Sequence, residues 1–232
     1  MTLINKILTA LGLIAVSGAV GAGATGVEFS PYSQPSANTI YNLLFCDDPE
    51  LFRPKDGIAS SREISAILDE NSDPKAIENI AADVAAESRV RALAYNWLRR
   101  HKLSVPTGIL LGVVVEVPVN GGLDTLAAYS DGRIRYINHS GKMALFEATP
   151  ASVQNSADKL LAASKLAIRS IGPWDKARLA PPTGEQVRLT FLVSDGLYFS
   201  QTTFKAVGGD AIGGPVLLAA QDLLLNVTQA AK

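Results

Sequence analysis

Alternation of apolar and polar positions is sharpest between residues 109 and 147, where four short runs are separated by glycine-bearing triplets. Ile109–Val117, Leu123–Tyr129, Arg133–Asn138 and Lys142–Glu147 predict four strands; Asn120-Gly121-Gly122, Ser130-Asp131-Gly132 and His139-Ser140-Gly141 predict the turns. Glycine reaches positive φ without steric cost and Asn or Asp tolerates it, so each triplet suits a hairpin. The first run is apolar almost throughout, which predicts a strand covered on both faces. The third alternates Arg133 and Arg135 with Ile134 and Tyr136, which predicts one buried face and arginines in water.

Around this meander the spacing turns helical. Ser36–Phe45 places Ile40, Leu43 and Leu44 on one face, and Pro49 ends it. Ser60 and Glu63 form a capping box that opens a helix through Leu68. Asp73-Pro74 starts another, with Ile77, Ile80 and Val84 as its stripe. Val90, Leu93, Ala94, Trp97 and Leu98 make a second stripe out of phase with the first, so a break falls near Glu87-Ser88. Thr149-Pro150 opens a long helix carrying Val153, Ala157, Leu160, Leu161, Ser164, Ile168 and Ile171. After a proline-rich loop to Gly184, Val187, Leu189, Phe191 and Val193 alternate with Arg188 and Thr190, and Asp195-Gly196 turns into Leu197–Lys205. A last helix from Pro215 turns Val216, Ala220, Leu223, Leu224 and Val227 inward. Helices, four strands, helix, two strands and helix give an α+β fold: one antiparallel sheet, meander plus hairpin, with helices packed against it. The chain divides into an apolar start (1–27), a linker and helical region (28–104, with the linker at Ser30–Pro35) and the antiparallel α+β domain (105–232).

Lys6 precedes an apolar run from Ile7 to Val27. It suits a secretory signal peptide, with small residues Ala22-Gly23-Ala24 before Thr25, or a membrane anchor of about 20 residues. Either places the chain at the cell membrane, in the periplasm or outside the cell. Gly21, Gly23 and Gly26 also match the dinucleotide fingerprint G-x-G-x-x-G, with Asp47 and Asp48 beyond. Pro31 and Pro35 follow too soon for the helix that the pyrophosphate needs, so no cofactor is expected.

Charge changes the picture little. Lys and Arg number 21 against 22 Asp and Glu, which leaves no global footprint for nucleic acid. Cys46 is the sole cysteine and His101 and His139 the sole histidines, which excludes an intrachain disulfide and a Cys- or multi-His metal site.

Five segments together resemble a family of uncharacterised bacterial proteins: Tyr41–Asp48, Gly122–Tyr129, Tyr136–Lys142, Gly172–Asp175 and Ser194–Phe199. The resemblance covers most of the chain after residue 40 and implies a bacterial origin. It carries no activity, cofactor or catalytic residue.

Candidate chemistry is sparse. Cys46 sits beside Asp47 and Asp48, whose charges disfavour a thiolate, and suits a buried helix end. Asp47 and Asp48 suit turn capping, and His139-Ser140 suits a hairpin turn, since neighbours in sequence seldom form a nucleophile–base pair. Arg99-Arg100-His101-Lys102 suits the end of a helix, where cations offset the dipole. Trp174 and Asp175, in a loop, fit a partner anchor or a lid over the sheet equally. The expectation is a non-enzymatic protein-binding or scaffold subunit of a bacterial assembly, exported or membrane-attached through Ile7–Val27. The alternative is an exported hydrolase using Asp47, Asp48 or Asp195 with His139.

Overall fold

The computed structural model describes residues 27–54 and 60–231. The run on which the signal, anchor and fingerprint expectations rest lies outside them, except for Val27.

Six strands form one antiparallel sheet in the order β4-β3-β2-β1-β5-β6. They are β1 (Leu110–Val119), β2 (Gly122–Tyr129), β3 (Ile134–Ile137), β4 (Met143–Phe146), β5 (Gln186–Val193) and β6 (Gly196–Thr203). Chain order and spatial order agree through the meander. β5 then returns to the free side of β1, so the most apolar strand is central, with all of its residues buried. The β1–β2 turn holds Asn120 at φ 52° and Gly121 at φ 79°, the left-handed pair that the Asn-Gly sequence provides. At Gly122 the constraint is space, because a Cβ would fall 2.4 Å from the His139 carbonyl oxygen.

Helices cover both faces. Val113, Val115, Val117 and Val119 of β1 meet α5 (Ala151–Ala167) and α7 (Gly213–Ala230) through Val153, Ala157, Leu160, Val216, Ala220, Leu223 and Val227. The inward residues expected for the last helix are all buried. On the opposite face Leu111, Val114, Ala127, Tyr129 and Leu192 meet α1 (Pro35–Leu43), α2 (Arg62–Leu68), α3 (Pro74–Ala82) and α4 (Ser88–Arg100). The expected break before Ser88 is present, and Asp73 caps α3 by accepting from Lys75 N–H. A short α6 (Phe204–Val207) follows β6, and a 3-10 turn occupies Pro49–Phe52. No helix of the described residues is long and apolar enough to cross a membrane.

Four details differ from the sequence expectations. The cap of α2 is Ser61, bonded to Ile64 N–H, one residue beyond the expected Ser60. Thr149 does not cap α5; Pro150 holds that position and the Thr149 hydroxyl donates to the Gly132 carbonyl. Ser30–Pro35 is not a free linker, because Tyr32 is buried and its hydroxyl lies 2.7 Å from Thr125 Oγ1. Arg135 is not in water: it is buried, donating to the Ile134 and Phe146 carbonyls and to Glu147. Alternation reports which residues share a face, and here the polar face of β3 is covered as well.

Candidate functional site

The face of β5 and β6 that carries polar side chains is also covered, by the segment 168–185 joining α5 to β5. It exceeds the roughly 12–15 residues usual for a connection without secondary structure, a length that often marks function. The segment crosses the sheet and fixes itself at Trp174, whose N–H donates to the Leu197 carbonyl on the outer side of β6 at 2.7 Å. The indole packs edge-on against Phe199 with centroids 4.7 Å apart, and its Nε1–H donates to the Ala177 carbonyl. Trp174 is thereby held against the sheet by contacts within the chain. Asp175 is exposed beside it.

Beneath the crossing lies a buried set of charges. Glu116 interrupts the apolar run of β1 and faces Arg188 of β5, its register partner, at 3.6 Å. Tyr41 of α1 donates to Glu116 Oε1 at 2.7 Å. Arg188 also donates to Gln201 Oε1 and to the Leu179 and Ala180 carbonyls of the crossing. Arg178, carried by the crossing itself, donates to Asp47 Oδ2 at 2.8 Å, to Asn42 Oδ1 and to the Val27 carbonyl. Its guanidinium stacks 4.1 Å from the Phe45 centroid, with Phe29 and Tyr41 beside it. Glu116 Oε2, Asp47 Oδ1 and Arg178 Nη1 are buried without a hydrogen-bond partner among the described residues.

Burial pushes the Glu116 carboxyl above the usual carboxylate range, against the opposing pull of Arg188, the Tyr41 hydroxyl and Arg178. Burial likewise pushes the Tyr41 phenol up, reinforced by Glu116. Two carboxyl groups and two guanidiniums thus tie helix, sheet and crossing together. A cavity of about 10 Å³ lies among Trp174, Arg178, Arg188, Thr190 and Phe199. That is room for about one water molecule, not for a substrate.

The remaining candidates are dispersed. Cys46 is buried at φ 51°, and burial pushes its thiol well up. Asp48 accepts from Glu50 N–H and caps the 3-10 turn. His139 lies on Asp124, which accepts from its backbone N–H at 2.6 Å and from Tyr136. Ser140 Oγ donates to Asn138 rather than approaching the imidazole. Asp195 accepts from Gly108 N–H and Tyr198 at the start of β1, whereas His139 abuts Gly122 beyond its end. At about 3.3 Å per residue the two stand about 30 Å apart along the strand. Asp47 points to Arg178. The carboxylates expected to work with His139 are therefore not gathered around it.

The basic cluster ends α4 as expected: Arg99 donates to the Ser194 carbonyl, Arg100 pairs with Glu70, and His101 stacks on Trp97. Burial holds the Arg99 guanidinium down to about 10, against Asp195. Two surface grooves, of about 530 and 490 Å³, are lined respectively by Glu63, Asp83 and Glu87 with Ile80 and Val90, and by Lys165, Arg169 and Tyr198 with Ile168. The first groove also holds Ser61, whose hydroxyl accepts from Ile64 N–H as the cap of α2, and the second holds Thr107.

The sheet edges differ from each other. β6 is bonded at Leu197 by Trp174 and runs directly into α6. Among the described residues β4 ends the sheet with no further strand beside it, and its Met143 and Leu145 are 38% and 47% exposed. Sequence reading located β4 but gave no sign that its side chains stay uncovered, since the cover of a strand depends on distant elements. The signal for the buried set was present and passed over: one glutamate in the middle of an otherwise apolar strand.

No family model, no curated protein and no solved structure matches the chain.

Proposed function

We propose that this chain is a non-enzymatic binding module, held at or beyond a bacterial membrane by its apolar start, and that β4 is the element that engages another protein. The supporting observation is the open edge of β4 with Met143 and Leu145 exposed beside it. The edge is short, four residues between Lys142 and Glu147, and its outward backbone groups are where an extended segment can add as a further strand. The charged groups that would serve hydrolysis are tied into structural bonds and do not converge on a pocket.

The test is photo-crosslinking in cells with a photoreactive residue at Leu145, compared with Leu218 on the exposed side of α7. Crosslinking to a protein from position 145 alone is expected. Equal yields at both positions, or none at 145, would overturn the assignment of β4.

A further inference from the structure

We propose that the crossing closes over an anion site, and that a single chloride ion binds between Arg178, Arg188 and Thr190 beneath Trp174. The proposal is independent of the reading of β4.

The sign of the ligand follows from the wall. The cavity under the crossing is lined by two guanidiniums, those of Arg178 and Arg188, and by no carboxylate. Asp47 takes the Nε–H of Arg178, and Asn42 Oδ1 and the Val27 carbonyl take its Nη2. That leaves Nη1, on a side chain only 3% exposed, buried without a hydrogen-bond partner among the described residues. A buried donor of this kind calls for a water or an ion. Thr190 contributes a hydroxyl that can donate to the same space.

Water suits the rest of the wall poorly. A buried water makes about three hydrogen bonds and has two hydrogens of its own to place on acceptors. The acceptors around Arg188 are engaged by it already: the Leu179 and Ala180 carbonyls and Gln201 Oε1. Trp174, Leu197 and Phe199 complete the lining with side chains that accept nothing. An anion accepts from every donor and needs no acceptor in return.

Size then selects the class of anion. About 10 Å³ admits one centre of the dimensions of a water molecule, which excludes phosphate, sulfate and carboxylate ligands and leaves a halide. Chloride is the abundant member of that class. Held there, it joins the crossing to the sheet, because Arg178 belongs to the crossing and Arg188 and Thr190 to β5. On its release two like charges share a buried space, which weakens the hold on the crossing.

The test compares melting temperatures of the full chain, in dodecyl maltoside micelles, in sodium chloride, bromide and gluconate at equal ionic strength. Chloride and bromide should each give a saturable rise, roughly 3–6 °C at about ten times the Kd, and gluconate none, because it is too large to enter. Arg178→Lys keeps a cation for Asp47 and removes Nη1, so it should lose the saturable part. The site is also read directly on the wild-type chain, whether or not that variant folds. Crystals soaked in bromide should show an anomalous peak beside Arg178 and Thr190. Equal melting temperatures in the three salts, a halide effect that survives in Arg178→Lys, or a bromide peak only elsewhere overturns the proposal. Density in the cavity without anomalous signal also overturns it and assigns the space to water.

Discussion

Replacing Arg178 by Met tests whether the crossing is locked down by a buried ion pair. Met keeps much of the apolar stem and removes the guanidinium. The loss comprises the 2.8 Å bond to Asp47, the bonds to Asn42 and Val27, and the stacking on Phe45. Hydrogen bonds to a charged group contribute about 1.5–3 kcal/mol each, though not additively. The larger cost lies with Asp47, whose Oδ1 is buried without a hydrogen-bond partner among the described residues and whose carboxylate would lose the Arg178 guanidinium. Breaking one side of a buried pair costs about 3–5 kcal/mol, a large part of a total stability of roughly 5–15. Asp47→Asn should cost a similar amount from the other side. The double variant should cost less than the sum by about 1–3 kcal/mol, the coupling expected of residues in contact. Urea unfolding followed by tryptophan emission measures all four chains, and the two tryptophans report different layers: Trp97 on α4 and Trp174 on the crossing. If Arg178→Met falls within 1 kcal/mol of wild type and the coupling vanishes, the crossing is not held by this pair and the reasoning fails.

Two further outcomes follow from burial. Arg135→Glu should cost about 3–5 kcal/mol in urea unfolding and Arg133→Glu about 1, because Arg135 is buried and bonded while Arg133 is half-buried in solvent-facing pairs; equal costs would contradict the assigned cover of β3. Tyr32, Tyr41, Tyr129, Tyr136 and Tyr198 all have phenols raised above 10.0, by burial first. A folded-state pKa above the unfolded value gives stability that is complete below pH 10 and is lost as pH rises through the folded values; a melting temperature that is flat or rising above pH 10 would refute it.

The meander and the second hairpin were legible because their turns carry residues suited to positive φ, and the Asn120-Gly121 pair adopts those angles. The inward stripe of α7 was legible because 3.6-residue spacing is a local property. Cover is not local. Arg135, Arg188 and Thr190 have the alternation of a wet face, yet helices and the crossing lie over them. The cap at Ser61 was missed by one residue because two serines stand together and only the backbone decides between them. The buried charges join residues 41, 47, 116, 178 and 188, which no window of sequence brings together. Tyr32 was missed for a related reason, since two prolines nearby suggest a linker and its partner Thr125 lies 93 positions away.

The strand order bears on synthesis. β1 is central only when β5 has arrived, and β5 lies beyond α5 and the whole crossing. As the chain emerges, β1 can pair with β2 at once, while its other side waits as an edge made mostly of valine and leucine. Unpaired apolar edges of this kind are what chaperones intercept. A nascent chain stopped anywhere before Gln186 would keep its stickiest strand on the outside.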